Sequence, residues 1–207
     1  MTRRPSTSRK PGAAPPGRVR IVAGKWRGRF LPVIDADELR PTPERVRETL
    51  FNWLAPRIEG SRCLDLFAGT GVLGLEALSR GAAEATLVER DRQAADALRK
   101  SIEKLGACHA TVVTGDALQF LRNADVRTMD IVFLDPPFAG ASLKQVIDVL
   151  GSRGWLAARA SLYIEQDAAT ALPDLPPGTT VRREKKAGNV RYLLVDAGNP
   201  EPDEDAS

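Results

Sequence analysis

The sequence predicts an α/β fold: a mainly parallel sheet with helices on both faces, closed by a C-terminal antiparallel hairpin and preceded by a short β-hairpin and a helix. Three observations carry this. From Arg62 onward, short apolar runs alternate with segments of helical periodicity, the pattern of strands joined by crossover helices. The first of these strands runs into Gly69-x-Gly71-x-x-Gly74, a glycine turn that opens a helix. Near the end, "TTVRREKKAGNVRYLLVD" sets two runs around Gly188-Asn189, a two-residue hairpin signal.

Residues 1–17 combine Arg, Ser, Pro, Gly and Ala without an aromatic, so this basic arm cannot bury a core and is expected to be disordered. Arg18 to Ile34 alternates Val19, Ile21 and Ala23 with polar or small partners, punctuated by Gly24 and Gly28; it reads as a hairpin with basic side chains on one face. Thr42 is placed as a helix N-cap, with Pro43 at the first helical position and Glu44 in the first turn. Val46, Leu50, Trp53 and Leu54 then recur at helical spacing up to about Pro56. Strands are expected over Cys63–Phe67, Ala85–Glu89, Ala110–Thr114, Asp130–Leu134 and Ser161–Glu165, with helices over Val72–Arg80, Arg92–Leu105, Ala117–Arg122 and Ser142–Leu150. The tail from Gly198 is rich in Pro and acid and is expected to fray. The predicted organisation is thus arm 1–17, hairpin and helix extension 18–57, main domain 58–197 and acidic tail 198–207.

Composition excludes several classes. The 207 residues, 43% hydrophobic and 28% charged, are ordinary for a soluble globular protein. No apolar run reaches membrane-spanning length, so no membrane partner is expected. The basic N-terminus lacks the apolar stretch of a secretory signal; a mitochondrial transit peptide is less cleanly excluded, and a flexible basic arm is the simpler reading. Cys63 and Cys108 have no metal-ligand spacing, and His109 beside Cys108 does not complete a site. No metal is expected, and a reducing cytoplasm fits. The net charge of +3 is unevenly spread: Arg3, Arg4, Arg9, Lys10, Arg18, Arg20, Lys25, Arg27 and Arg29 are the only charged residues up to Phe30. Such an arm reads equally as a footprint for nucleic-acid phosphates and as a solvated tail.

In an open α/β sheet, ligands bind beyond the carboxyl ends of the strands. There this chain delivers Asp65, Glu89, Asp116 and Asp135 from four successive strands. The glycine turn with Glu89 downstream also matches a dinucleotide-binding fingerprint, but a pyrophosphate would be repelled by so many carboxylates. The lining suits S-adenosyl-L-methionine, which carries a cationic centre, a ribose diol and an adenine. Glu89 could take the ribose hydroxyls, Asp116 the adenine amine and Asp65 the ammonium. Gly69 and Gly71 allow close backbone approach. The second signal is "DPPF", Asp135-Pro136-Pro137-Phe138. An exocyclic ring amine is a poor nucleophile, and two acceptors on its protons would orient its lone pair. Asp135 offers a carboxylate and Pro136 a carbonyl; the prolines remove competing N–H donors. Phe138 offers a face for a base swung out of its stack. A nicotinamide-dinucleotide-binding oxidoreductase, an adenine-N6 methyltransferase and a non-enzymatic RNA-binding factor remain alternatives on these residues alone.

The stretches "RIVAGKWRGRFLPV", "RPTPERVRETLFNWLAP", "LDLFAGTGVLGLEALSRGA", "DIVFLDPPF" and "REKKAGNVRY" resemble the bacterial 16S rRNA guanine-N2 methyltransferases of the RsmD family. The resemblance implies a monomeric, cytoplasmic, Rossmann-like methyltransferase using S-adenosyl-L-methionine. It also implies a guanine of 16S rRNA as target, usually guanine 966, during small-subunit assembly, with a small-subunit assembly intermediate as one form of the substrate. The expected catalytic corner is Asp135, Pro136, Pro137 and Phe138. Expected cofactor residues are Asp65, Phe67, Ala68, Gly69, Gly71, Glu89, Arg90, Asp116 and Ala117, and expected RNA contacts are Arg20, Lys25, Trp26, Arg27 and Arg29, with a place in the hairpin core as the alternative for Trp26.

Overall fold

The computed structural model describes residues 17–34, 42–137 and 143–197. The expected disorder of the arm and fraying of the tail, and the role of Phe138, fall outside these residues. Strands β1 (Arg18–Arg20) and β2 (Phe30–Pro32) form an antiparallel pair. Helix α1 (Glu44–Ile58) comes next, then β3 (Arg62–Asp65), α2 (Val72–Ser79), β4 (Glu84–Glu89), α3 (Arg92–Leu105), β5 (Ala110–Thr114), α4 (Ala117–Asn123), β6 (Met129–Leu134), α5 (Leu143–Ser152), β7 (Leu156–Asp167), β8 (Thr179–Ala187) and β9 (Val190–Ala197).

The main sheet has the order β5-β4-β3-β6-β7-β9-β8. β3 pairs in parallel with both β4 and β6, so the chain leaves β3 one way and returns on its other side. This reversal is the topological switch point, where the ends of adjacent strands part and leave room for a ligand. Period-2 alternation divides the core in two. Ile131 and Phe133 join one cluster with α1, α2 and the N-terminal hairpin, while Val132 and Leu134 join the other with α4 and α5. Gly188 and Asn189 link β8 to β9, whose register closes at Ala187 opposite Val190.

Three expectations are corrected. α1 runs past Pro56 to Ile58, with the proline accommodated in its last turn. β7 is far longer than Ser161–Glu165: it starts at Leu156, which pairs with Met129 of β6, and runs on to Asp167, opposite Val190 of β9. Thr42 does not cap α1, whose preceding position is Pro43 with no side-chain cap; its hydroxyl is used elsewhere.

Candidate active site

β3 ends at Asp65, which is buried. Its Oδ2 accepts the Gly74 N–H at 3.3 Å, while Oδ1 is buried without a partner among the described residues. Burial pushes its pKa up to about 7, and the carboxyls of Asp135 and Glu89 add to the rise against the hydrogen bonds of the Gly74 and Phe67 N–H groups. An acceptor in this condition calls for a cation or donor from outside.

The glycine turn after β3 divides its work. Gly69 has φ +51° and faces open space, whereas a Cβ on Gly71 (φ +74°) would lie 2.3 Å from Leu98 Cδ1. A Cβ on Gly74 would lie 2.8 Å from Leu87 Cδ2. Only the first glycine therefore leaves a cradle at the site; the other two let α2 close onto the sheet and α3. Close approach of a ligand was expected at Gly71 as well, and helix packing fills that space instead. Phe67 is half-buried against the second cluster, and Ala68 is buried with its N–H on the Val88 carbonyl at 3.0 Å.

Glu89, at the end of β4, is drawn over the turn. Its Oε2 accepts the Gly69 N–H and its Oε1 the Asp91 N–H, both at 2.7 Å. Arg90 is exposed and, with Arg92, Arg99 and Gly115, lines a cavity of about 430 Å³. Asp116 spends one oxygen capping α4, accepting the Gln119 N–H at 3.0 Å, and Ala117 is buried at the first position of that helix. Asp91 caps α3 likewise through Ala94.

Across the switch point, Asp135 lies just beyond β6 and is half-buried, Pro136 is buried and Pro137 exposed. The Thr42 hydroxyl donates to Asp135 Oδ2 at 2.8 Å. Desolvation raises the Asp135 pKa, and the Thr42 hydrogen bond opposes the rise. Next to it on β7, Glu165 is buried and accepts from the Tyr163 hydroxyl at 2.7 Å. Burial, with the Asp135 carboxyl beside it, raises the Glu165 pKa, against the hydrogen bonds of the Tyr163 and Thr42 hydroxyls that face it. Two neighbouring carboxyls with little water between them cannot both ionise cheaply.

Sequence reasoning missed Glu165, although it closes the predicted strand Ser161–Glu165 and the rule that picked out the other four acids applies to it; in the structure the strand runs two residues further. It also missed that Arg47, which it read as facing cofactor or RNA or as a helix-surface ion pair, is buried against Glu76. The signal was Glu76 itself, a lone charge in the otherwise apolar "VLGLEALS".

Of the residues expected to meet RNA, Lys25, Arg27 and Arg29 are exposed. Arg20 pairs with Glu44 at 2.5 Å, a bond that fastens the hairpin to α1. Of the two readings of Trp26 the core one holds, and its place among the RNA contacts is corrected: it is 8% exposed and belongs to the core, so its ring is not available for stacking on a base. The loop carrying it docks on the C-terminal end of α2, with Lys25 N–H on the Ser79 carbonyl at 2.7 Å and Trp26 N–H on Ser79 Oγ at 2.9 Å. Gly24 makes this possible, since a Cβ there would lie 1.7 Å from the Ser79 carbonyl oxygen. Among the described residues there is no cluster of His, Cys, Asp and Glu able to hold a metal, and no helix long and apolar enough to cross a membrane.

The residues present fit S-adenosyl-L-methionine: an unpartnered buried carboxylate oxygen, an open glycine cradle on the same turn and Glu89 hydrogen-bonded to that cradle from the neighbouring strand. The family model described as "Conserved hypothetical protein 95" matches residues 19–196. The "Ribosomal RNA small subunit methyltransferase D" of Escherichia coli (strain K12) is 50% identical over 186 residues, covering 90% of this chain and 93% of that protein. The protein of the same name from Haemophilus influenzae is 45% identical over 181 residues, covering 86% and 93%. The solved structure of yhhF from Escherichia coli superposes with a TM-score of 0.82 at 48% identity, covering 88% of this chain and 99% of that one. With nearly every described residue inside the match, the chain belongs to the "Conserved hypothetical protein 95" family, the RsmD family of small-subunit ribosomal RNA methyltransferases.

Proposed function

We propose that this protein methylates the exocyclic N2 amine of a guanine in 16S rRNA, using S-adenosyl-L-methionine, as a monomer in the cytoplasm. A small-subunit assembly intermediate is the candidate form of the substrate. The observation that carries the reading is the pair of acids across the switch point: Asp65 with a buried, unpartnered oxygen, and Asp135 held by Thr42 beside it. One acid is placed to take a cationic donor and the other to hold an amine.

When bound, the cofactor supplies a methyl group on a cationic sulfur, which leaves with the carbon–sulfur bonding pair. Asp65 would hold its ammonium, Glu89 its ribose hydroxyls and Asp116, through its free oxygen, its adenine amine. Gly69, Phe67, Ala68, Arg90 and Ala117 would shape the surrounding wall. Asp135 accepts a hydrogen bond from one amine proton and the Pro136 carbonyl accepts from the other, which localises the lone pair on N2 towards the methyl carbon. The raised pKa of Asp135 suits it to take up the proton that N2 sheds. Phe138 is the candidate stacking face for the base. Lys25, Arg27 and Arg29, with the basic residues of the arm, are the candidate phosphate contacts.

The test is Asp135→Ala. Methyl transfer to 16S rRNA should fall at least about 1,000-fold, as expected for loss of a group that both orients and deprotonates, while S-adenosylhomocysteine binding by calorimetry stays within a few-fold. Near-wild-type methylation by this variant would count against the reading. Mass-spectrometric mapping of N2-methylguanosine in rRNA from a deletion strain then identifies the base.

A further inference from the structure

Thr42 should be the N-cap of α1, yet its hydroxyl turns away from the helix and donates to Asp135 at 2.8 Å. The cap is left unmade although Thr is among the residues best suited to it, and that loss ordinarily destabilises a helix. Something must hold Thr42 in place. Arg47, one turn into the helix and 1% exposed, reaches back and donates from Nε to the Thr42 carbonyl at 3.1 Å. Its Nη1 meets Glu76 Oε2 at 3.4 Å, and Glu76 is fully buried in α2. Glu76 also accepts the Val22 N–H at 2.7 Å, the Ala23 N–H at 2.9 Å and Arg80 Nε at 2.8 Å. An unbroken polar chain therefore runs from the backbone of the N-terminal hairpin loop, through Glu76, Arg47 and Thr42, to the carboxyl of Asp135.

We infer that Thr42 is a positioning residue for methyl transfer: its hydroxyl fixes Asp135 Oδ2 and so leaves Oδ1 as the oxygen presented to the target amine, with Arg47 and Glu76 tying that setting to the seated N-terminal hairpin. This rests on the proposed role of Asp135. The carboxylate has two oxygens, and an amine-holding group needs one of them in a fixed direction. A free carboxyl at a strand end would rotate between them. Asp65 faces Asp135 from β3, and Glu165 and Tyr163 face it from β7. Asp65 and Glu165 can donate only when protonated, and neither hydrogen-bonds to Asp135 among the described residues; the Tyr163 proton is committed to Glu165, and the Thr42 hydroxyl, which Glu165 also faces, donates to Asp135 at 2.8 Å. The Thr42 hydroxyl is thus the donor that the fold supplies for this purpose.

The experiment compares Thr42→Val, which keeps the shape and removes the donor, with Thr42→Ser, which restores the donor. Single-turnover methylation of 16S rRNA should slow about 10- to 100-fold in Thr42→Val, the range for losing a hydrogen bond to a charged group. Thr42→Ser should recover to within about threefold. S-adenosylhomocysteine affinity and melting temperature should stay near wild type in both. The acid limb of the rate–pH profile should move to higher pH in Thr42→Val, because a donor to the ionised form no longer opposes protonation of Asp135. A wild-type rate and an unmoved profile in Thr42→Val, or equal damage in Thr42→Val and Thr42→Ser, would overturn the inference. If Asp135→Ala were itself active, the reading of the site would fail first; if Asp135→Ala is dead while Thr42→Val is unaffected, only the role of Thr42 fails.

Discussion

A carboxyl buried with one oxygen unpartnered disfavours its own ionised form, and Asp65 is such a group. Its folded pKa of about 7 lies above the ordinary 3.8. Between those values the folded state holds a proton that the unfolded chain has lost, so stability of the ligand-free protein falls as pH rises from about 4 to about 7 and levels off at higher pH. A bound ammonium reverses the preference, so binding of S-adenosylhomocysteine should release a proton in that window and tighten as pH rises. Asp65→Asn should raise the ligand-free melting temperature by several degrees at pH 8 and change it little at pH 4.5. It should also weaken S-adenosylhomocysteine at least about tenfold, the scale of one charge-assisted hydrogen bond. Melting curves against pH, and calorimetry in buffers of different ionisation enthalpy, measure both. A melting temperature with the same pH dependence in wild type and variant would remove Asp65 as the source.

At the scale of elements, the glycine turn offers a sharper separation than its spacing suggests. Gly71→Ala combines a positive φ with a Cβ 2.3 Å from Leu98 Cδ1, so it should destabilise by about 2–4 kcal/mol. Gly69→Ala meets nothing within 4 Å and should cost only the backbone term of about 1–2 kcal/mol. Its side chain would enter the cradle, however, so S-adenosylhomocysteine should weaken more than in Gly71→Ala measured well below its melting temperature. Denaturant melts and calorimetry of the pair check this, and equal loss of affinity in the two would refute it. The same turn shows what the sequence made legible. Strand–helix alternation and the Gly188-Asn189 hairpin are local signals, and they place elements well. Thr42 and Trp26 escape a local reading because their fates are decided by partners 93 and 53 positions away, Asp135 and Ser79. A propensity for capping or for surface stacking says nothing about a competing acceptor or a docking surface that arrives only when α1, α2 and the sheet assemble.

On the scale of the whole molecule, the sheet order sets all the acids along one edge, whereas the exposed cations of the N-terminal loop sit at the far end of α2 from that edge. Cofactor affinity and RNA affinity should therefore separate. Residues 1–16 carry Arg3, Arg4, Arg9 and Lys10. If each neutralises one phosphate, removing them should reduce the slope of log affinity against log salt by up to about 3 for single-stranded RNA. The chain of contacts that sets Asp135 begins at Val22 and Ala23, beyond the segment removed. The truncated protein should thus methylate at the wild-type rate once RNA is saturating, and bind S-adenosylhomocysteine equally well. Lys25→Ala with Arg27→Ala should lower the slope further without moving that rate, since both side chains are exposed and neither belongs to the chain of contacts. Filter binding across a salt series, paired with single-turnover rates, measures the two quantities independently. An unchanged slope after truncation would assign residues 1–16 no phosphate contacts and leave RNA recognition to the rest of the chain.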